Sequence, residues 1–270
     1  MLNNVTIGQY FPIDSAVHKL DPRLKIILIM VSIAMLFVCQ NYISLVIVLA
    51  LILLILMLSG VPFKTYLKSM KSILPIIIFT GVLNIFYGVG EPIFSLGFME
   101  ITQDGINTGV FVSLRLLGLI FISSVLTFTT SPTDITDALE RLMKPLSKLG
   151  IKTHEIAMMM TIALRFVPTL IEETDKIISA QKSRGADFES GNILQRMKAF
   201  SPIFVPLFIS SFRRAYDLAL AMESRCYRGG EGRTRLKILR IKGIDVAAML
   251  IMIAVCAGVI FCNIKIPRVI

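Results

Sequence analysis

The stretch Tyr42-Ile43-Ser44-Leu45-Val46-Ile47-Val48-Leu49-Ala50-Leu51-Ile52-Leu53-Leu54-Ile55-Leu56-Met57-Leu58 decides the fold class. It carries no charged residue and approaches the about 20 apolar residues that a helix needs to cross a bilayer. Similar runs occupy 24–39, 72–90, 106–130 and 244–263. The whole chain matches them: 270 residues, 55% hydrophobic, 17% charged, with a mean hydropathy of +0.76. The expected fold is therefore all-α, a polytopic membrane protein with about five transmembrane helices and a cytoplasmic block of amphipathic coupling helices. Only Gln40-Asn41 separates the first two runs, which predicts a tight uncharged hairpin. The first 23 residues are too polar for a signal-peptide core, so the start of the chain is expected to be retained.

Loop charge sets the orientation. Lys19, Arg23 and Lys25 precede the first run, and Lys64, Lys68 and Lys71 lie between the second and third. The next loop holds Glu91, Glu100 and Asp104 with no lysine or arginine. The positive-inside rule then places the N-terminus and the block between the fourth and last runs in the cytoplasm. Three parts follow: a four-span membrane domain over 1–130, a coupling domain over 131–243, and a last span over 244–270. The expected location is the cell inner (cytoplasmic) membrane. Of the 28 basic residues, 19 fall in 131–245 opposite 13 of the 18 acidic ones, so the +10 net charge is largely that block's. Without tryptophan or an aromatic-interleaved basic groove, this charge suits anionic lipid rather than nucleic acid. Cys39, Cys226, Cys256 and Cys262 lack C-x-x-C spacing and are expected as free thiols.

The coupling block opens on Ser131-Pro132-Thr133-Asp134, in which Ser131 suits an N-cap, Pro132 the first turn and Asp134 the positive helix end. Pro145 is expected to bend or split the helix and Gly150 to close it. Asp134, Asp137 and Glu140 share a spacing of three, the pattern of a metal-binding carboxylate helix in a membrane-embedded metal-dependent transferase. First-turn dipole complementarity accounts for them more simply, since the chain has no second carboxylate set of matching spacing.

Beyond Gly150 the pattern runs twice. Phe166-Val167-Pro168 is read as opening a helix that ends at Ser183-Arg184-Gly185; Phe204-Val205-Pro206 opens another that reaches Ser224-Arg225 and stops at Gly229-Gly230. The apolar stretches 156–171 and 200–212, interrupted by Pro168, Pro202 and Pro206, read as buried or half-inserted helices. Val167, Leu170, Ile171, Thr174, Ile177 and Ile178 form one stripe, and Phe208, Phe212, Ala215, Ala219 and Met222 a second. Arg184 and Arg225 have no carboxylate three or four residues upstream, so their guanidinium groups are open to an external partner, while a helix-capping or lipid role stays possible. Within the spans, Arg115 is a costly charge best met by backbone carbonyls or Asn84, and Gly81, Gly88, Gly109 and Gly118 allow close helix approach.

These residues resemble those of the transmembrane coupling subunits (T components) of energy-coupling factor transporters, importers of vitamins and transition metals. The resemblance rests on His18-Lys19-Leu20-Asp21-Pro22-Arg23-Leu24-Lys25, Thr130-Ser131-Pro132, Leu139-Glu140-Arg141-Leu142, Pro145-Leu146 and Leu164-Arg165-Phe166-Val167-Pro168. It is completed by the two arginine triplets and the Tyr227-Arg228-Gly229 that follows. It implies that Ser183-Arg184-Gly185 and Ser224-Arg225-Cys226 dock onto two ABC-type ATPase subunits. The family's triplets are Ala-Arg-Gly-like; serine at the first position of both, and cysteine at the third of the second, are departures. The resemblance further implies a substrate-binding S component as a membrane partner and no cofactor in this chain, ATP being bound by the partner ATPases. The chain would then not be an enzyme, and it has no G-x-x-x-x-G-K-[ST] loop. An ordinary ABC permease would show a Glu-Ala-Ala coupling loop, which is missing from the sequence.

Overall fold

A computed structural model describes residues 10–86, 92–96, 99–186, 193–230 and 241–267. Among the described residues the regular structure is helical apart from one small hairpin, and the chain divides into two units, Gly8–Ile135 with Lys237–Ile270, and Thr136–Leu236.

The first of these holds α1 (Pro22–Val38), α2 (Tyr42–Ser59), α3 (Phe63–Lys71), α4 (Leu74–Phe86), α5 (Gln103–Thr129) and α9 (Gly243–Lys265). Each start has a local cause. Asp21 N-caps α1, its carboxylate accepting from the Arg23 N–H at 2.9 Å, with Pro22 in the first turn. Asn41 caps α2 by accepting from the Ser44 N–H at 2.8 Å, and Gly60 ends it in a left-handed conformation, φ +70°. Thr102 caps α5, its hydroxyl accepting from the Gly105 N–H at 3.1 Å.

The core of this unit is formed where Leu36, Leu45, Val48, Ile52, Phe111, Ile122, Val125 and Phe128 meet. Tyr66 packs edge-on to Phe128 with ring centroids 5.2 Å apart, and its hydroxyl shares a 3.0 Å hydrogen bond with Ser59. Helices approach closely at glycine. A Cβ at Gly109 would lie 3.0 Å from the Gly81 carbonyl of α4, and one at Gly118 2.9 Å from Leu49 Cδ2 of α2. Gly88 lies outside the described residues.

Within the run at 72–90 the described helix is α4, and a bend precedes it. α3 and α4 are separate helices bent by 62° at the Ser72-Ile73 break, with Pro75 in the first turn of the second. By length and composition α2, α5, α7 (Thr153–Ser183) and α9 qualify as membrane-crossing helices, and the bent α3–α4 pair as a fifth. The 17-residue α1 is shorter, about 26 Å at 1.5 Å per residue. The acidic loop before α5 contains a feature the sequence did not suggest: strands β1 (Pro92–Leu96) and β2 (Met99–Thr102) pair antiparallel, with Leu96 opposite Met99 and Pro92 opposite Thr102.

α9 is held at both ends by residues more than 200 positions away. At its start, buried Asp245 accepts from the backbone N–H of Asp21 at 2.8 Å and from that of Lys242 at 2.6 Å. At its end, Asn263 donates to the Val38 carbonyl at 2.8 Å, and the Asn41 side-chain amide donates to Asn263 Oδ1 and the Cys262 carbonyl, both at 3.2 Å. Lys25, also buried, donates to the Thr129 carbonyl at 3.0 Å, meeting the C-terminal end of α5. Ahead of α1, His18 donates from Nε2 to the Phe11 carbonyl at 2.9 Å. Its Nδ1 accepts from the Ser15 hydroxyl at 2.7 Å, and burial pushes the imidazole pKa below its ordinary value. Arg115 meets a backbone carbonyl, that of Cys39 at 2.8 Å, and stacks on the Phe111 ring at 4.9 Å; Asn84 instead donates to the Thr80 carbonyl.

The Thr136–Leu236 unit contains most of α6 (Pro132–Met143), a 3-10 turn (Lys144–Leu149), α7 and α8 (Ile193–Ser224). The Ser131 hydroxyl accepts from the Asp134 N–H at 3.1 Å, as an N-cap should. The helix gives way to the 3-10 turn just ahead of Pro145, and Gly150 closes that turn at φ +85°. One expectation fails. The prolines do not open the helices: α7 starts at Thr153 and α8 at Ile193, with Pro168, Pro202 and Pro206 in their interiors. The segments 156–171 and 200–212 are thus parts of continuous helices of 31 and 32 residues, about 47 Å each at 1.5 Å per residue. α7 packs against α8, and Arg214 pairs with Glu173 across them at 2.6 Å.

Candidate functional site at two arginine-capped helix ends

Both arginine triplets end a helix in the same way. In the first, Ser183 is the last residue of α7, Arg184 the C-cap and Gly185 the next residue at φ +84°. The Ala186 N–H donates to the Gln181 carbonyl at 3.0 Å, and the Gly185 N–H to that of Lys182 at 3.0 Å. This pair of bonds is a Schellman cap. In the second, Ser224 closes α8, Arg225 follows, and Cys226 adopts φ +55°. The Tyr227 N–H donates to the Met222 carbonyl at 3.0 Å and the Cys226 N–H to that of Glu223 at 2.8 Å, the same two-bond cap in the same register.

The triplet therefore has a backbone meaning. Its third residue must turn left-handed, its second is thrown outward at the carbonyl end of the helix, and its first is the last helical residue. Ser183 and Ser224 bond back to the Ser179 and Ala221 carbonyls, both at 3.1 Å. All six residues (Ser183, Arg184, Gly185, Ser224, Arg225 and Cys226) are exposed. Among the described residues neither guanidinium forms an ion pair. Asp187 lies outside the described residues. The second helix stops five residues short of the expected Gly229-Gly230, because the cap forms at Cys226.

Cys226 is the one non-glycine residue at positive φ among the described residues, and a side chain there costs about 1 kcal/mol. Cys226→Gly is expected to raise the stability of the α8 end by that amount, read as a higher Tm of the purified chain. The mirror variant, Gly185→Ala, is expected to lower it by a similar amount for backbone reasons alone, since nothing lies within 4 Å of the added Cβ. A drop in Tm on Cys226→Gly would contradict this reading of the cap.

Pattern reading missed a seat behind the second triplet. A Cβ at Gly230 would run into the His154 imidazole, so a larger residue there has to displace that ring. His154 in turn bonds through Nδ1 to Glu140 Oε1 at 2.9 Å. The chain leaving the Arg225 triplet is thus laid against a His–Glu pair from the start of α7 and from α6. Glu140 is thereby engaged, and among the described residues no group of three His, Cys, Asp or Glu side chains is placed to hold a metal.

The apolar stripes are placed unequally. Val167, Leu170, Ile171, Thr174, Ile177 and Ile178 are all half-buried. On α8, of the expected stripe only Met222 is even half-buried. The buried or half-buried face runs instead through Ile203, Leu207, Ser210, Arg214 and Leu218, while Phe204, Phe208, Phe212 and Tyr216 stand 62–65% exposed. The Phe208 and Phe212 rings contact each other along that ridge, with centroids 4.6 Å apart. Two faces of α8 are apolar, and period alone could not rank them.

Comparison with known proteins agrees with this architecture. Residues 14–236 match the cobalt transport protein (CbiQ) family. The chain is 51% identical to the energy-coupling factor transporter transmembrane protein EcfT of Ruminiclostridium cellulolyticum over 91% of this chain and 92% of that one. It is 48% identical to the protein of that name from Clostridium kluyveri over 96% and 97% of the two chains. With that of Acidaminococcus fermentans the identity is 48% over 99% of this chain and 100% of the relative. The arginine-capped helix ends thus sit in a multi-pass protein of the cell membrane that belongs to the family of energy-coupling factor transporter transmembrane proteins.

Proposed function

We infer that this chain is the mechanical coupler of an importer, passing the closing motion of two cytoplasmic ABC-type ATPases to a membrane-embedded S component that binds a vitamin or a transition metal. The observation that carries the reading is the pair of matched Schellman caps. Each presents an exposed arginine on a helix of more than 30 residues, long and regular enough to move as a rod. Ser183, Arg184 and Gly185 form one docking tip, and Ser224, Arg225 and Cys226 the other. A guanidinium at such a tip suits a bidentate bond to a carboxylate in a groove of the ATPase, and the small neighbours let that groove approach the backbone. ATP binds to those partners; this chain holds no cofactor and is no enzyme in this reading. The Arg214–Glu173 bridge ties the two rods together, so that motion at either tip is shared. The unpartnered aromatic ridge of α8 supports an apolar membrane partner, since a contiguous exposed row of this kind marks an interaction surface.

Gentle detergent extraction of the tagged chain from its native membrane, with mass spectrometry of what accompanies it, tests the reading. Two ATP-binding-cassette ATPases and at least one small, very hydrophobic protein are expected. Recovery of the chain alone would sink it.

A further inference from the structure

A cavity of about 190 Å³ lies within the membrane unit, and we propose that it holds an acyl chain of an anionic phospholipid from the cytoplasmic leaflet. Val17, Ile29 and Ile122, all at most 6% exposed, form its floor. Leu54 and Leu58 of α2 and Ile244 and Ile251 of α9 form its lips and are 44–50% exposed, so the cleft opens sideways, where the bilayer is. Two polar side chains line it, and each is turned to a backbone carbonyl. Lys25 donates to the Thr129 carbonyl at 3.0 Å, and Ser32 to the Leu28 carbonyl at 2.8 Å. The wall that faces this space is almost wholly apolar, and a cavity of that kind stays dry or takes an apolar guest.

The depth and the charge of the opening name the guest. The lining comes from the first turns of α1 and α9 and the last turns of α2 and α5, which are the ends carrying Lys19, Lys64 and Lys242. That is the cytoplasmic side by the positive-inside rule, where the leaflet is rich in anionic lipid. Lys19 falls between the lining residues Val17 and Leu20, and Lys242 two positions before the lip residue Ile244; both are exposed. A chain seated in the cleft therefore leaves its phosphate near two cations, with the tail against an almost wholly apolar wall.

The full-length chain, reconstituted in nanodiscs of equal phosphatidylglycerol and phosphatidylcholine and then released into detergent, is to be examined by native mass spectrometry. Phosphatidylglycerol is expected to stay bound at collision energies that strip the remaining lipid. Ala248→Phe, which fills the cleft from α9, should lower that retained occupancy about tenfold. Lys19→Gln with Lys242→Gln should abolish the preference for phosphatidylglycerol over phosphatidylcholine. Where Ala248→Phe yields no folded chain, Ala247→Phe on the exposed side of the same lining replaces it. Equal retention of both lipids by the unaltered chain, undiminished retention by the filled variant, or a protein partner found in the cleft in place of lipid overturns the proposal.

Discussion

Arg184→Ala combined with Arg225→Ala is expected to abolish uptake and to strip the ATPases from the purified complex, while the chain still inserts and folds. The two halves of that expectation rest on different magnitudes. For the chain itself, each arginine supplies only a favourable charge at a helix C-terminus, about 0.3–1 kcal/mol, and both side chains are exposed. The caps are built from backbone bonds that do not involve the guanidinium groups. For a docked complex, an arginine at the centre of an interface commonly costs about 2 kcal/mol or more on truncation, roughly a thirtyfold loss in affinity. Removing one tip should therefore weaken assembly measurably, and removing both should leave no ATPase on the chain. Co-purification of the ATPases with the double variant at the level seen for the unaltered chain would show that the tips are not the docking sites.

Asp245→Ala is expected to be the most damaging single change in the membrane unit. The carboxylate is fully buried and accepts two backbone N–H groups, those of Asp21 and Lys242, at 2.8 and 2.6 Å. Losing it orphans donors at the start of α1 and at the N-terminus of α9, a cost of about 3 kcal/mol for charge-assisted bonds in a buried setting. That corresponds to a fall in Tm of roughly 5–10 °C for a chain of this size. Asp245→Asn keeps one acceptor oxygen and should fall between the two. The measurement is thermal unfolding of the purified chain in mild detergent, and an unchanged Tm for Asp245→Ala would refute the clasp.

Everything the sequence revealed correctly was local or compositional. Apolar runs identify a membrane protein because lipid leaves a helix no other way to satisfy its backbone. Ser131, Pro145, Gly150 and Gly185 were legible because caps and breaks are set within a few residues of themselves. The same local logic misled at Pro168, Pro202 and Pro206, where it weighed one lost hydrogen bond and not the many others that keep α7 and α8 continuous. It also could not tell which apolar face of α8 packs within the chain, because Phe208 and Phe212 satisfy a helical period as well as Ile203 and Leu207 do.

The class of the protein, the caps at Ser131, Gly150 and Gly185 and the exposed place of both arginines were determined by the sequence alone, since each follows from composition or from contacts between near neighbours. The tertiary structure decided the rest. It joined Asp21 to Asp245 and Val38 to Asn263 across 224 and 225 positions, seated Gly230 on His154, bent α3 from α4, and opened an apolar cleft beside α9. Such pairings depend on which distant surfaces meet, and a residue's own neighbours carry no record of that.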